Sequence, residues 1–474
     1  MINNKQNPLL SMQVVLTALA ILSVPFWSKA VIEGKARTIG LPLLAVLVLL
    51  VGRLKERARF SLLLVAVLLV PLQTPDWPIP YALSVSELLL LLLTIVQLAM
   101  RWSSARLSRG TTKLAAYIPY FALASAGLVS ALRNHELGLW YGVCLVPLLL
   151  LFLVDNGVRA PDDALRLMEV AMGATLGYLL IYWLAGQVGS VIDVYGPAMQ
   201  WRIGARVARL GPIQYDSYSI TFGTLAALGM PFVVLKISKA RKPDAYRFVY
   251  GGVLILFIAI LTLTSARGAT IGAAIGAILA LICSRRLRWP GVIAMSAILA
   301  TTIMVWGPDL IRGSPSIAAS EARWRDTRWA DIATEGNLAT RIATMRLTFE
   351  NIGQNPLGYG YGFLWTAYRI DEAVAYSALL NGAGVGGFLS FLIIVGALLR
   401  RFVTRISRGS TSPQCDLAAI GLGTLLCGLI AGVSSESVLL GPVQSFVFWT
   451  VLCAAYCGTC SQCKPLRSIL CQEI

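Results

Sequence analysis

Apolar runs alternate with short polar ones along almost the whole chain. LPLLAVLVLLVG (41–52), LLLLLLTIVQLAM (88–100) and VLILFIAILTL (253–263) carry no charge at all. With their neighbours such runs approach the roughly 20 residues a helix needs to cross about 30 Å of hydrocarbon. The strict alternation of a transmembrane β-barrel is absent. The pattern predicts an all-α, polytopic transmembrane helix bundle. Spans fall near 12–27, 38–52, 60–74, 79–100, 114–132, 137–154, 166–187, 216–235, 248–265, 268–283, 289–306, 376–399, 416–432 and 437–456, and the short connections among them set a range of about 12–14.

Composition agrees with that pattern. Of 474 residues, 57% are hydrophobic and 13% charged, against roughly 25% charged in a soluble domain. Mean hydropathy is +0.72. A large soluble core is excluded. The first run, MQVVLTALAILSVPFW (12–27), is read as an uncleaved span, because only Lys5 is basic before it and SKA (28–30) is a poor cleavage site.

Charge orients the bundle. With the N-terminus inside, the basic loops RLKERAR (53–59), RWSSARLSRGTTK (101–113), KISKARKPDAYR (236–247), SRRLRW (284–289) and RRFVTRISRGS (400–410) all fall on the inner side. The net charge of +17 is therefore mainly a topology signal, and nucleic acid is not an expected partner. Two sizeable outer segments remain, 188–215 and 307–375. The chain divides into an N-terminal bundle (1–187), a second group of spans with an Arg-rich outer segment (188–306), a large outer loop (307–375) and C-terminal spans with a tail (376–474).

None of the nine cysteines falls in an outer loop, so no structural disulfide is implied. Cys453, Cys457, Cys460, Cys463 and Cys471 gather near the C-terminus. CGTCSQC has the spacing of a metal site but no nearby His, and the alternative is a reduced inner tail.

After Arg37, every basic residue placed outside is Arg and never Lys. A planar guanidinium binds phosphate oxygens bidentately and keeps its charge. Taken singly, each Arg also fits interfacial snorkelling or a local salt bridge; as a group they suggest a phosphate-bearing ligand. Arg267 lies between two apolar spans in LTLTSARGATIGAAIG (261–276), where an unpaired charge is costly. WRIGARVARLGPIQYDSYS (201–219) leads Arg202, Arg206 and Arg209 into a span opened by Gln214, Tyr215 and Asp216. NLATRIATMRLTFENIG (337–353) predicts an amphipathic helix with Leu338, Ile342, Met345, Phe349 and Ile352 in one stripe, flanked by Arg341 and Arg346. Gly353 and Pro356 are its expected stop, and the outer membrane surface is its expected place. GQNPLGYGYGFL (353–364) follows, with glycines that allow backbone N–H groups to approach an anion or sugar and with Tyr359 and Tyr361 suited to an interface. A plain connector is the alternative.

In order, SARGATIGAAIGAIL, a long outer loop, RIATMRLTFENIGQNPLGYGYGFL and YSALLNGAGVGGFLSFLIIVGAL resemble the O-antigen ligase and polymerase family of bacterial inner-membrane enzymes. The resemblance covers roughly 200–400; before that the chain matches only in being multi-span. It implies a metal-independent, C-type membrane glycosyltransferase without a cofactor, acting from the periplasmic side on an undecaprenyl-pyrophosphate-linked oligosaccharide. A chain-length regulator is a further partner the family admits. The outer segments hold no DxD or HExxH. Family ligases carry a His shortly before the first Gly of the GxxG segment; the corresponding position here is Ala373, beside Asp371 and Glu372. The single His, His135, stands in another loop. That departure tilts the expectation from ligase to polymerase of O-antigen or exopolysaccharide. Arg267 and Arg341, then Arg209 and Arg206, are the candidates for stabilising the leaving pyrophosphate. Glu372, Asp371 and Asp216 are candidate bases, each with a salt bridge as its bland alternative. Arg346, Tyr215, Tyr359 and Tyr361 are candidate substrate contacts. A ligase working without the His, or a flippase for lipid-linked sugar, competes.

Overall fold

Among the described residues the apolar runs fold as helices, and every regular element is helical. The computed structural model describes residues 94, 111–134, 141–158, 160–188, 216–239, 245–264, 267–284, 336–360, 374–408, 412–434, 437–440 and 442–459. The chain divides into two compact units, Met1–Gly110 with Glu169–Arg202, and Thr111–Met168 with Ile203–Ile474. The expected spans at 12–27, 38–52, 60–74 and 289–306, and all but residue 94 of 79–100, lie outside the described residues.

The helices are α1 (Thr111–Asn134), α2 (Val146–Gly157, entered through a π turn at Tyr141–Leu145), α3 (Pro161–Val188) and α4 (Asp216–Lys239). They continue as α5 (Ala245–Thr264), α6 (Arg267–Cys283), α7 (Gly336–Gln354) and α8 (Ala375–Ser407). The last are α9 (Pro413–Ser434), the single turn α10 (Ser437–Leu440) and α11 (Pro442–Gly458). Segments of α1 (Ala115–Arg133), α8 (Ala375–Ser407) and α9 (Pro413–Val433) are long and apolar enough to cross a membrane. Shorter apolar helices lie within α2, α4, α5, α6 and α11. The span expected at 437–456 is two pieces: Pro442 opens α11, at the one helical position where its missing N–H costs nothing.

Helix α9 is the hub of the second unit, packed on α4, α6, α8 and α11. Its residues from Cys415 to Leu425 are all buried. Trp449 of α11 fills the centre of the aromatic core, edge-on to Tyr120 (6.2 Å), Phe391 (6.4 Å) and Phe448 (5.2 Å). Peripheral helices turn apolar side chains outward instead: Ile118, Phe121, Val129 and Leu132 on α1, and Leu389, Leu392, Ile393 and Val403 on α8. Such faces suit hydrocarbon as the surrounding solvent. Cys453 and Cys457 are buried in α11 as free thiols. Cys460, Cys463 and Cys471 lie outside the described residues.

Among the described helices, α6 crosses α9 most closely. A Cβ on Gly276 would lie 2.5 Å from the Gly423 carbonyl oxygen, and one on Gly423 would lie 2.5 Å from that of Gly276. A turn away, a Cβ on Gly272 would lie 2.7 Å from the Cys427 oxygen. Without a hydrophobic drive between helices in lipid, such close backbone packing is what joins them. Gly276→Leu must push backbone away from backbone, an overpacking worth about 1–3 kcal/mol or more. Its thermal unfolding midpoint in detergent is expected to fall by several degrees. Gly252→Ala, where the added Cβ meets nothing within 4 Å, is expected not to lower it.

Candidate functional site

A polar assembly links three distant segments where the NPLGYG turn meets helix α8. Helix α7 runs through Gly353 rather than stopping there, and the Asn355 N–H still donates to the Asn351 carbonyl at 2.9 Å. Glycine weakens a helix interior without ending it; the chain turns only at Asn355 and Pro356. The Gly358 N–H returns to the Asn355 carbonyl at 3.0 Å, and Asn355 Nδ2 donates to the Gly358 carbonyl at 2.7 Å. Asn355 thus closes the turn with both its backbone and its side chain, as Asn commonly does. Gly358 and Gly360 have φ of +90° and +97°, a region glycine enters without strain.

Helix α8, expected as one unbroken span, is broken at Gly384, whose φ is 68° and ψ −174°. In a continuous helix the Val385 N–H would donate to the Asn381 carbonyl. Here each takes a partner from the turn. Val385 N–H donates to the Pro356 carbonyl at 2.9 Å, and the Asn381 carbonyl accepts from the N–H groups of Tyr359 (2.9 Å) and Gly360 (3.2 Å). The turn therefore satisfies the backbone groups that the break releases, as irregular backbone in an apolar surrounding requires. A Cβ on Gly358 would collide with the Asn381 carbonyl oxygen and lie 2.9 Å from the Gly384 nitrogen. This corrects the expectation that the turn's amides face a ligand: those of Gly358, Tyr359 and Gly360 are engaged within the protein.

Two side-chain links extend the assembly. Asn381 Nδ2 donates to Thr348 Oγ1 at 3.2 Å, and that hydroxyl donates to the Thr344 carbonyl at 2.8 Å. From the end of α1, Arg133 Nη1 donates to Asn355 Oδ1 at 3.0 Å.

Helix α7 carries its amphipathicity the other way round from a helix on a soluble protein. Thr344, Thr348 and Asn351 are buried with Ile352, whereas Met345 is exposed and Phe349 is 62% exposed. The expected stripe is thus split, with Ile352 packed inward; the side chain of Ile342 and residue Leu338's burial lie outside the description. Arg341 and Arg346 part company too. Arg341, half-buried, shares the helix face of Thr344 and Thr348 by its spacing. Arg346 is exposed, and its Nε donates to Glu350 Oε1 at 2.8 Å. That hydrogen bond, with the carboxylate's charge, raises the guanidinium pKa further.

Among the other candidates, Tyr359 is half-buried in the turn, Arg267 is the first residue of α6 and Asp216 the first of α4. The side chains of those last two lie outside the description. So do residues Arg206, Arg209, Tyr215, Tyr361, Asp371, Glu372 and His135 altogether. The structure brings together Tyr359, Arg133 of the outer arginine group and two residues not singled out for chemistry, Asn355 and Asn381. The NP dipeptide flagged the turn, but its docking site 25 residues on and an Arg 222 residues back leave no local trace.

No family model matches the chain, and no curated protein matches it.

Proposed function

We propose that this chain is a multi-span membrane glycosyltransferase that polymerises lipid-linked O-antigen or exopolysaccharide repeat units on the periplasmic side of the bacterial inner membrane. The growing glycan on undecaprenyl pyrophosphate is the donor. A hydroxyl at the non-reducing end of a new lipid-linked unit attacks the anomeric carbon. The bond from that carbon to the pyrophosphate oxygen breaks, and undecaprenyl pyrophosphate leaves with the electron pair. A carboxylate, Glu372 or Asp371 by position, takes the hydroxyl proton. Arginines meet the charge that develops on the leaving group.

What supports this reading is the sequence pattern of Arg, never Lys, in the segments expected outside, with Arg341 half-buried on the face of α7 that Thr344 and Thr348 share. Metal ions commonly neutralise a leaving pyrophosphate; fixed guanidinium groups supply the same charge. A flippase is the second reading, favoured by the broken helix α8, since transporters build sites from discontinuous helices. In this chain, however, the turn itself fills the break. That arrangement supports a fixed scaffold more than an alternating one.

The test is surface polysaccharide from a strain lacking the gene, resolved by size, with lipid-linked intermediates extracted alongside. Long polymer is expected to vanish while single repeat units still reach their acceptor. Long polymer persisting on undecaprenyl pyrophosphate without an acceptor would make the protein a ligase. Accumulation of single units on the cytoplasmic side would make it a flippase.

A further inference from the structure

We propose that Arg133, at the end of α1, binds the pyrophosphate group of the lipid-linked substrate. The inference rests on the glycosyltransferase reading and adds a residue to it.

Arg133 lies in the last turn of α1 and is exposed. Its contact among the described residues is the hydrogen bond to Asn355 Oδ1, an uncharged amide. Arg346, by contrast, is engaged by a carboxylate. A guanidinium offers five N–H donors in a planar fork. One of them meets the turn, and the neutral amide that accepts it there does not itself neutralise the positive charge. A phosphate or pyrophosphate matches both the fork and the charge.

The group is also placed rather than free. Asn355, which receives it, is tied through Nδ2 to the Gly358 carbonyl. Ser130, one turn earlier on α1, abuts the same glycine, where a Cβ would lie 3.2 Å from Ser130 Oγ. Arg133 therefore stands at the seam of α1 with the turn that closes the break in α8.

Apolar surface points to a lipid-borne anion. Val129 and Leu132 are exposed on α1 next to Arg133, and Leu357 is exposed two residues past Asn355. A cation beside exposed aliphatic side chains is the arrangement that a polyprenyl pyrophosphate, charged at one end and hydrocarbon at the other, requires. A free pyrophosphate would use only the cation.

The test is titration of the full-length protein in detergent with undecaprenyl pyrophosphate and, separately, with inorganic pyrophosphate. Arg133→Gln removes the charge, and the turn stays docked through its backbone bonds to Asn381 and Val385, so the unfolding midpoint is expected to hold. Binding of undecaprenyl pyrophosphate is expected to weaken by about tenfold or more, the size of a lost charge-assisted contact. Arg133→Lys, which keeps the charge without the fork, is expected to fall between, and it carries the test should Arg133→Gln not fold. Arg408→Gln, exposed at the far end of α8, is the control and is expected to bind as wild type. Strong competition by inorganic pyrophosphate would assign the site to the bare anion, and weak competition to the lipid-borne one. Wild-type binding retained in Arg133→Gln, or an equal loss in Arg408→Gln, overturns the assignment of Arg133 and leaves the glycosyltransferase reading standing. Binding of neither probe by the wild-type protein removes both.

Discussion

Gly384→Ala is expected to destabilise the protein by about 3 kcal/mol or more and to undock the turn at 355–360. The backbone at Gly384 has φ 68° and ψ −174°, a conformation that residues with a Cβ rarely enter. Forcing one there costs about 1–3 kcal/mol. The Cβ would lie 2.5 Å from the Pro356 carbonyl oxygen and 2.6 Å from the Leu357 carbonyl carbon, both backbone atoms that no rotamer change can move. If the turn yields, the Val385 N–H and the Asn381 carbonyl lose their partners, and each buried polar group left without one adds about 1–3 kcal/mol. Helix α8 can recover part of this by closing its own 381–385 bond, which leaves Tyr359 and Gly360 without an acceptor. The readout is thermal unfolding in detergent together with the protease sensitivity of the turn. Gly386→Ala is the control: its Cβ would meet Ala126 Cβ at 3.6 Å, an ordinary contact, and little change is expected. A Gly384→Ala protein as stable and protease-resistant as wild type would show that the turn does not hold the break.

The second large effect is on chemistry. Arg341→Gln is expected to lower polymer synthesis by about 10²–10³-fold, the range seen when a positioned donor to a developing anion is removed. The fold should survive, because Arg341 is half-buried near the start of α7 and the bonds that dock the turn lie toward its other end. Arg346→Gln is expected to lose less, since Glu350 already engages its charge on the solvent side. The check is polymer length and amount in cells complemented with each variant, at matched protein level. Equal effects of the two substitutions would mean that the bland reading of these arginines, as surface charges, is the correct one.

What the sequence disclosed and what it withheld have physical causes. Helix positions follow from apolar runs, so the expected spans at 216–235, 248–265 and 268–283 match α4, α5 and α6 to within four residues at each end. The helix expected at 337–353 is α7. The expected apolar stripe divides: Met345 and Phe349 are exposed, as a helix on a membrane surface requires, and Ile352 packs inward. The polar face of α7 packs on α8. The break in α8 was hidden. LLNGAGVGG (379–387) is apolar and small enough to read as a plain span, and the hydrogen bonds that open it come from another segment. Arg133 was legible only as one of the outer arginines, because its neighbour Asn355 is reached only through the tertiary fold. Asp371 and Glu372, chosen by alignment with a family pattern, lie where nothing described yet bears on them.

Chain extension on a lipid carrier can be observed outright. The direct measurement is the purified protein in liposomes, supplied with undecaprenyl-pyrophosphate-linked repeat units and a metal chelator, with products separated by size. A ladder of longer lipid-linked glycans is expected, with released undecaprenyl pyrophosphate in matching amount and loss of both in Arg341→Gln. Repeat units that stay single while crossing from one leaflet to the other would contradict chain extension.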